Sequence, residues 1–177
     1  MSILKVARLG HPVLRKISLE VRPSEINSSE YQRLIDDMIL TMKEYDGVGL
    51  AASQVHESLQ IAVLEVADNP RYPNKPQIPL TVLINPKITP LTEKTEEDWE
   101  GCLSISELRG KVPRFKQIKI SAQDRDGNDL NFVASGFHAR VIQHEWDHLQ
   151  GKVYLDRMKD FSTLTYLTEL SRYWIEK

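Results

Sequence analysis

Two histidines and a glutamate stand in the string His144-Glu145-Trp146-Asp147-His148, with the imidazoles four residues apart and the carboxylate directly after the first. On a helix of about 3.6 residues per turn the two rings share a face, about 6 Å apart along the axis, close enough to bind one ion. Neutral imidazole is a good ligand for Zn(II), Fe(II) or Ni(II), and the intervening Glu145 projects beside such an ion, where it can move a water proton. The same HExxH string also arises by chance on amphipathic helices, with both rings bonded to backbone or solvent. Position argues against chance here. Phe137, Val141, His144 and His148 recur at helical spacing, so both rings fall on a core-facing stripe. There each unsatisfied polar group costs about 1 to 3 kcal/mol unless something such as a cation binds it.

A catalytic site of this type uses three protein ligands and leaves one position open. In the extended HExxHxxGxxH pattern Gly151 is present, but Tyr154 takes the place of the third histidine and is a poor ligand. Glu169, further along, is the kind of later glutamate that completes another group of HExxH sites. Cys102, the single cysteine, offers a soft thiolate whose pKa a metal drives down. Lacking a second cysteine it forms no internal disulfide, and it is expected as a reduced thiol at the end of a strand, where Gly101 lets backbone approach closely.

The elements that must position these groups are legible from periodicity. Tyr31, Leu34, Ile35, Met38, Ile39 and Met42 form the apolar stripe of a helix running from about Ser28 to Tyr45, with Asn27 and Glu30 as a capping box and Gly47 as a left-handed stop. Strands are predicted over Gln60 to Val66 and Thr81 to Leu91, the second interrupted at Pro86, which marks an edge or a bulge. Pro70, Pro73, Pro76 and Pro79 predict an extended polyproline-like excursion between them. Lys116 to Asp124 and Leu130 to Val133 flank Arg125-Asp126-Gly127-Asn128 as a hairpin. The HExxH helix runs from Gly136 to near Gly151. A last helix is expected from Ser162, with Leu164, Leu167, Leu170 and Trp174 inward. Strands in the middle and helices at both ends predict an α+β fold, with antiparallel or mixed sheets packed around a central HExxH helix.

At 177 residues the chain suits a single catalytic domain over 1–177. Its 23 basic and 25 acidic residues nearly cancel, which argues against a protein that binds nucleic acid through a broad positive field. The apolar runs are too short to span a bilayer, and Lys5, Arg8, His11 and Arg15 interrupt the N-terminus, so neither a membrane segment nor a secretion signal is expected and the cytoplasm is the natural compartment.

Gly47 to Gln54 as GVGLAASQ, Glu100 to Ser104 as EGCLS and Gln143 to Leu149 as QHEWDHL together resemble the three signature motifs of the peptide deformylases, in that family's order and spacing. The likeness extends over most of the chain, including Val112-Pro113-Arg114 and the hairpin, and the C-terminal segment is similar to that of the bacterial-type subgroup, a cytoplasmic enzyme. The resemblance implies hydrolysis of the formyl group from the initiator methionine of N-formyl-methionyl nascent peptides, and hence a transient encounter with the ribosome. It implies Cys102, His144 and His148 as metal ligands, Glu145 as general acid and base, and the Gln54 amide and Leu103 backbone N–H as oxyanion donors. The peptide would add as a strand to the backbone of Val48, Gly49 and Gly101. Its methionine would enter a pocket of Val48, Phe137, Val141 and the His144 ring, with Glu100 and Arg109 ordering or contacting the peptide, unless those two form an exposed ion pair. One divalent ion is implied, Fe(II) in the cell, with Zn(II), Ni(II) or Co(II) accepted. A metalloprotease using Glu169, or a metal-binding module without turnover, are the competing readings. Ser53 and Ser106 stand where the family commonly has proline, His138 where it has an aliphatic residue, and Trp146 where it has a smaller apolar one.

Overall fold

The computed structural model describes residues 1–67 and 75–174. Pro70 and Pro73 lie outside the described residues. Three helices, α1 (Ser29–Glu44), α2 (Gly136–Leu149) and α3 (Leu167–Tyr173), accompany eight strands among the described residues: β1 (Gly49–Ala51), β2 (Ile61–Val66), β3 (Ile78–Pro90), β4 (Thr95–Cys102), β5 (Ile105–Phe115), β6 (Gln117–Gln123), β7 (Asp129–Ser135) and β8 (Thr165–Tyr166). The strands form a five-stranded sheet in the order β1-β2-β3-β6-β7 and a three-stranded sheet in the order β4-β5-β8. Every ladder between these strands is antiparallel, as the α+β reading requires.

The larger sheet is covered on both faces. Ile61 and Val63 of β2, with Val82 and Ile84 of β3, point to one side and pack with Ile35, Met38 and Met42 of α1. Leu64 and Leu83 point to the other and join Ile118, Ile120, Ala139, Val141 and Ile142 beneath α2. Side chains alternate along a strand, so a strand buried on both faces reads as an unbroken apolar run, and Ile61 to Leu64 does, before the half-buried Glu65. Pro86 sits within the register shift between Ile84 and Lys87, the bulge that a residue without an N–H demands. Asn85 takes φ +53° there, and its side chain both accepts from and donates to the Val21 backbone at 2.8 Å, pinning the N-terminal segment to the sheet.

Several boundaries differ from the sequence reading for local reasons. The N-cap of α1 is Ser28, whose Oγ accepts from the Tyr31 N–H at 3.3 Å, while the Asn27 amide is drawn away to donate to the Asp126 carbonyl. The left-handed residue at its other end is Asp46, at φ +50°, rather than Gly47. Asp46 N–H donates to Lys43 O and Gly47 N–H to Met42 O, a Schellman closure in which a short polar side chain takes the usual glycine place. Pro79 is part of β3 and not of a polyproline excursion. The C-terminal segment departs furthest: the chain turns at Ser162, adds β8 to β5, and only then forms the short α3. Leu170 is buried, but Leu167 and Trp174 are about half exposed.

At the end of α2 the Gly151 N–H donates to His148 O and the Lys152 N–H to Asp147 O, with Gly151 at φ +70°. A Cβ at Gly151 would stand 2.7 Å from the Arg15 carbonyl oxygen. Gly151→Ala is therefore expected to destabilise the protein by about 2 to 3 kcal/mol in urea unfolding, from left-handed strain and the clash together.

Candidate metal centre

Cys102 closes β4, and Leu103-Ser104 form the turn into β5, with Cys102 opposite Ile105 in the ladder. Both turn residues keep negative φ, so this is not one of the primed turns that match strand twist, and the register shifts at Gly101 to accommodate it. The kink aims the Cys102 thiol at α2. Cys102 Sγ lies 3.2 Å from His148 Nε2, the two imidazole centroids are 5.1 Å apart, and one donor atom from each of Cys102, His144 and His148 falls within 4.8 Å of the others. Bonds of about 2.0 Å to nitrogen and 2.3 Å to sulfur let a single ion bridge such a set. Among the described residues this is the group of His, Cys and carboxylate side chains arranged to do so.

The electrostatics suit a cation. Burial opposes ionisation of the Cys102 thiol, but His148 and His144 more than reverse this and hold its pKa well below the usual thiol range. Burial likewise lowers His144, yet hydrogen bonds to Cys102 and Glu100 carry it well above the ordinary imidazole value. A thiolate beside two buried rings, in a pocket reached from solvent through a cleft, is the donor set that a divalent ion of intermediate softness fits.

His144 is oriented from behind. Its Nδ1 is 2.9 Å from Glu100 Oε2, which leaves Nε2 for the site. Glu100 is 5% exposed and also accepts from Arg114, through Nε at 2.8 Å and Nη2 at 2.9 Å, and from Arg140 Nη1 at 2.7 Å. Burial pushes its pKa up, but Arg114 and then His144 pull it far below the carboxylate range. The other arm of Arg114 reaches Asp147 Oδ2 at 2.6 Å, and Arg157 Nε donates to the same carboxylate at 3.0 and 3.1 Å. One turn before Asp147, on the same face of the helix, the Gln143 amide pairs with the Phe115 N–H and carbonyl, both at 3.0 Å, and ties α2 to the end of β5.

Glu145 faces Gly49 of the edge strand β1: a Cβ at Gly49 would stand 2.2 Å from Glu145 Oε1, so this approach requires glycine. Glu145 Oε2 is buried and has no partner among the described residues. Gln54 lies in the 3-10 turn Ala52–Val55 after β1. Its Oε1 accepts from the Ala51 N–H at 2.9 Å, which turns the amide NH2 toward Cys102 Sγ at 3.4 Å and Ser104 Oγ at 3.2 Å.

Val48, Gly49, Gln54, Glu100, Gly101, Cys102, Leu103, Phe137, Val141, His144 and Glu145 line one cleft, between the edges formed by β1 and β4, with His148 buried at its back. Two sequence expectations change. Glu100 and Arg109 do not form an exposed pair: Glu100 belongs to the buried network, and Arg109 donates to the carbonyls of Ser106 and Leu108 while lying against Gly101, in a neighbouring hollow with Leu103. Glu169 sits on α3, partly exposed, 3.3 Å from Arg172, and takes no part in the metal-ligating group. Sequence reasoning did not assign roles to Arg114, Arg140, Asp147, Arg157 or Gln143. The one available signal was Arg140, a charged residue four positions before His144 on the same buried face.

Comparison with known proteins agrees. The polypeptide deformylase family model matches residues 3–163. Peptide deformylase 2 of Pseudomonas putida is 45% identical over 164 residues, 93% of this chain and 92% of that protein. Two structures of class I type b peptide deformylase from Acinetobacter baumannii superpose with a TM-score of 0.85. One is bound to the compound K4U and is 38% identical over 89% of this chain and 99% of its own. The other is bound to Met-Ala-Ser and is 37% identical over 88% and 98%. With the family model matched over residues 3–163 and a relative 45% identical across 93% of its length, the chain belongs to the polypeptide deformylase family.

Proposed function

We propose that this chain hydrolyses N-formyl-methionyl nascent peptides, adding water across the formamide to release formate and a methionyl peptide with a free amine. One thiolate and two imidazoles converging beside a buried carboxylate, in a cleft between two sheet edges, is the observation that carries the reading. The reaction belongs to a single catalytic domain over 1–177, acting in the cytoplasm of a bacterial cell, with transient contact at the ribosome where formylated chains emerge. Consistent with a protein working in water, no helix among the described residues is long and apolar enough to cross a membrane.

Cys102, His144 and His148 hold the metal, and Fe(II) is the ion we assign in the cell, although Zn(II), Ni(II) and Co(II) suit the same donors. When bound, the ion supplies Lewis acidity toward the formyl oxygen and the attacking water. Glu145 accepts the proton of that water and later delivers it to the departing amine nitrogen. In the field of the protein's own groups, burial pushes this carboxyl up, against the pull of His144 and His148, to about 7, and a cation bound beside it would draw it back toward the carboxylate form that accepts the proton. Gln54, its amide fixed through Ala51, and the Leu103 backbone N–H donate to the tetrahedral oxyanion, each worth about 2.7 to 4 kcal/mol in the transition state. The peptide extends along the backbone of Val48, Gly49 and Gly101 as an added strand. Its methionine side chain lies among Val48, Phe137, Val141 and the His144 ring.

With the Fe(II) or Ni(II) form prepared without oxygen, formyl-Met peptides should be deformylated while blocked internal peptides remain intact. Glu145→Gln is expected to keep its metal and lose activity by about a hundred to ten thousand fold. Cys102→Ala should lose both metal and activity, and Glu169→Ala should lose neither. Activity that survives Cys102→Ala and disappears in Glu169→Ala would transfer the protein to the protease class. Arg114→Met removes a guanidinium shared by Glu100 and Asp147. Because it leaves buried charge less compensated, it should cost about 3 kcal/mol in denaturant unfolding and lower kcat as well, since Glu100 then orients His144 less firmly.

A further inference from the structure

Trp99 stands at the cleft but takes no part in the metal centre, whose ligands and proton carrier are held by other residues. Its ring is half-buried on β4 and lines the cleft beside Glu100, with Phe137 among the other lining residues. Two groups fix it from outside. Lys111, its cross-strand partner on β5, places Nζ 5.5 Å from the ring centroid. Trp174, at the end of α3, meets it edge to face, with centroids 5.4 Å apart and an interplanar angle of 75°. The segment that brings Trp174 there is anchored along β5. Leu108 and Arg109 pair with Tyr166 and Thr165, the Lys111 N–H donates to Thr163 Oγ1 at 3.1 Å, and Leu170 is buried.

We propose that Trp99 is a specificity-determining residue for the part of the peptide beyond its methionine, and that Trp174 is the positioning residue that holds its ring at the cleft. This inference rests on the deformylase reading above. An extended peptide leaving the metal centre along the edge of β4 passes the one large aromatic that β4 contributes to the cleft. A flat side chain stacking on that ring gains contact area and the quadrupole interaction of an aromatic pair. The Lys111 ammonium beside the ring disfavours a basic side chain at the same place. The Trp174 contact brings the C-terminal segment, remote in sequence from the candidate ligands, against a residue that lines the cleft.

The test compares formyl-Met-Phe and formyl-Met-Ala-Phe with formyl-Met-Ala and formyl-Met-Ala-Ala, using the metal-loaded full chain. Wild-type protein should show a KM about 3- to 10-fold lower for at least one phenylalanine peptide than for its alanine counterpart. Trp99→Ala and Trp174→Ala should each abolish that ratio, Trp174→Tyr should restore most of it, and the double variant should lose no more than Trp99→Ala alone. Trp174→Ala should leave kcat on formyl-Met-Ala unchanged, which separates positioning from misfolding. A wild-type ratio near one, or a ratio that persists in Trp174→Ala, would overturn the inference while leaving the deformylase reading intact. Absence of turnover of formyl-Met-Ala by the wild-type protein would instead defeat that reading, and this inference with it.

Discussion

Glu100 is a carboxylate taken almost wholly out of water, and its ionised state survives because its charge is met on the spot by Arg114, Arg140 and His144. The four groups come from three elements: Glu100 from β4, Arg114 from β5, and Arg140 with His144 from α2. The interaction therefore does more than neutralise a charge. It fixes the three-stranded sheet against the helix that carries both imidazoles, and Asp147 extends the lock, since Arg114 bridges the two carboxylates. Buried ion sets of this kind gain little over packed apolar groups in net stability. What this set supplies is direction, because the ring nitrogen that bonds Glu100 leaves the other one facing the thiolate.

The candidate ligands come from bodies that have no covalent reason to stay together. Cys102 rides on a hairpin turn at the edge of one sheet, whereas the histidines ride on a helix packed against the other. Their convergence requires the bulge at Gly101, the Glu100 network and the Gln143 clamp on Phe115 to agree. The same arrangement leaves two edge strands, β1 and β4, facing each other across the cleft. Exposed strand edges invite pairing with another chain. Here both edges lie beside the general-base candidate, and it is on this geometry that the proposed seating of an extended substrate rests.

Much of this was legible because burial leaves a period. α1 and α2 declare themselves by apolar residues at three and four positions, β2 by a run buried on both faces, and the β6–β7 turn by Arg125-Asp126-Gly127-Asn128, which Asp124 fastens by accepting through Oδ1 from the Asp126 and Asn128 N–H groups. The site residues were legible as motifs, and the HExxH spacing carried its own geometry. Harder to read was β5, where Arg109, Gly110 and Arg114 are buried in positions that composition assigns to solvent. A buried arginine looks like a surface one until its partners are known, and those of Arg114 lie 14 and 33 residues away. The C-terminal segment misled for the opposite reason. Leu164, Leu167, Leu170 and Trp174 repeat at helical spacing, but β5 offers an unpaired edge that takes Thr165 and Tyr166 first.

The departures from the family's motif pattern can now be weighed by what they touch. The Ser106 side chain accepts a long 3.5 Å contact from Arg8 at the surface, and His138 stacks on Phe132 at 5.7 Å, away from the candidate ligands. Trp146 faces a separate groove behind α2, with Pro113 and Phe115. Ser53 is different. It is fully buried, and its Oγ donates to the His148 carbonyl at 3.3 Å. A proline there would stiffen the turn by restricting the chain itself. Serine instead ties the turn bearing Gln54 directly to the last turn of the helix bearing His148. Rigidity that a ring would supply locally is supplied by a hydrogen bond to the element whose position matters, so the oxyanion-donor candidate and a candidate metal ligand are held in register by one side chain.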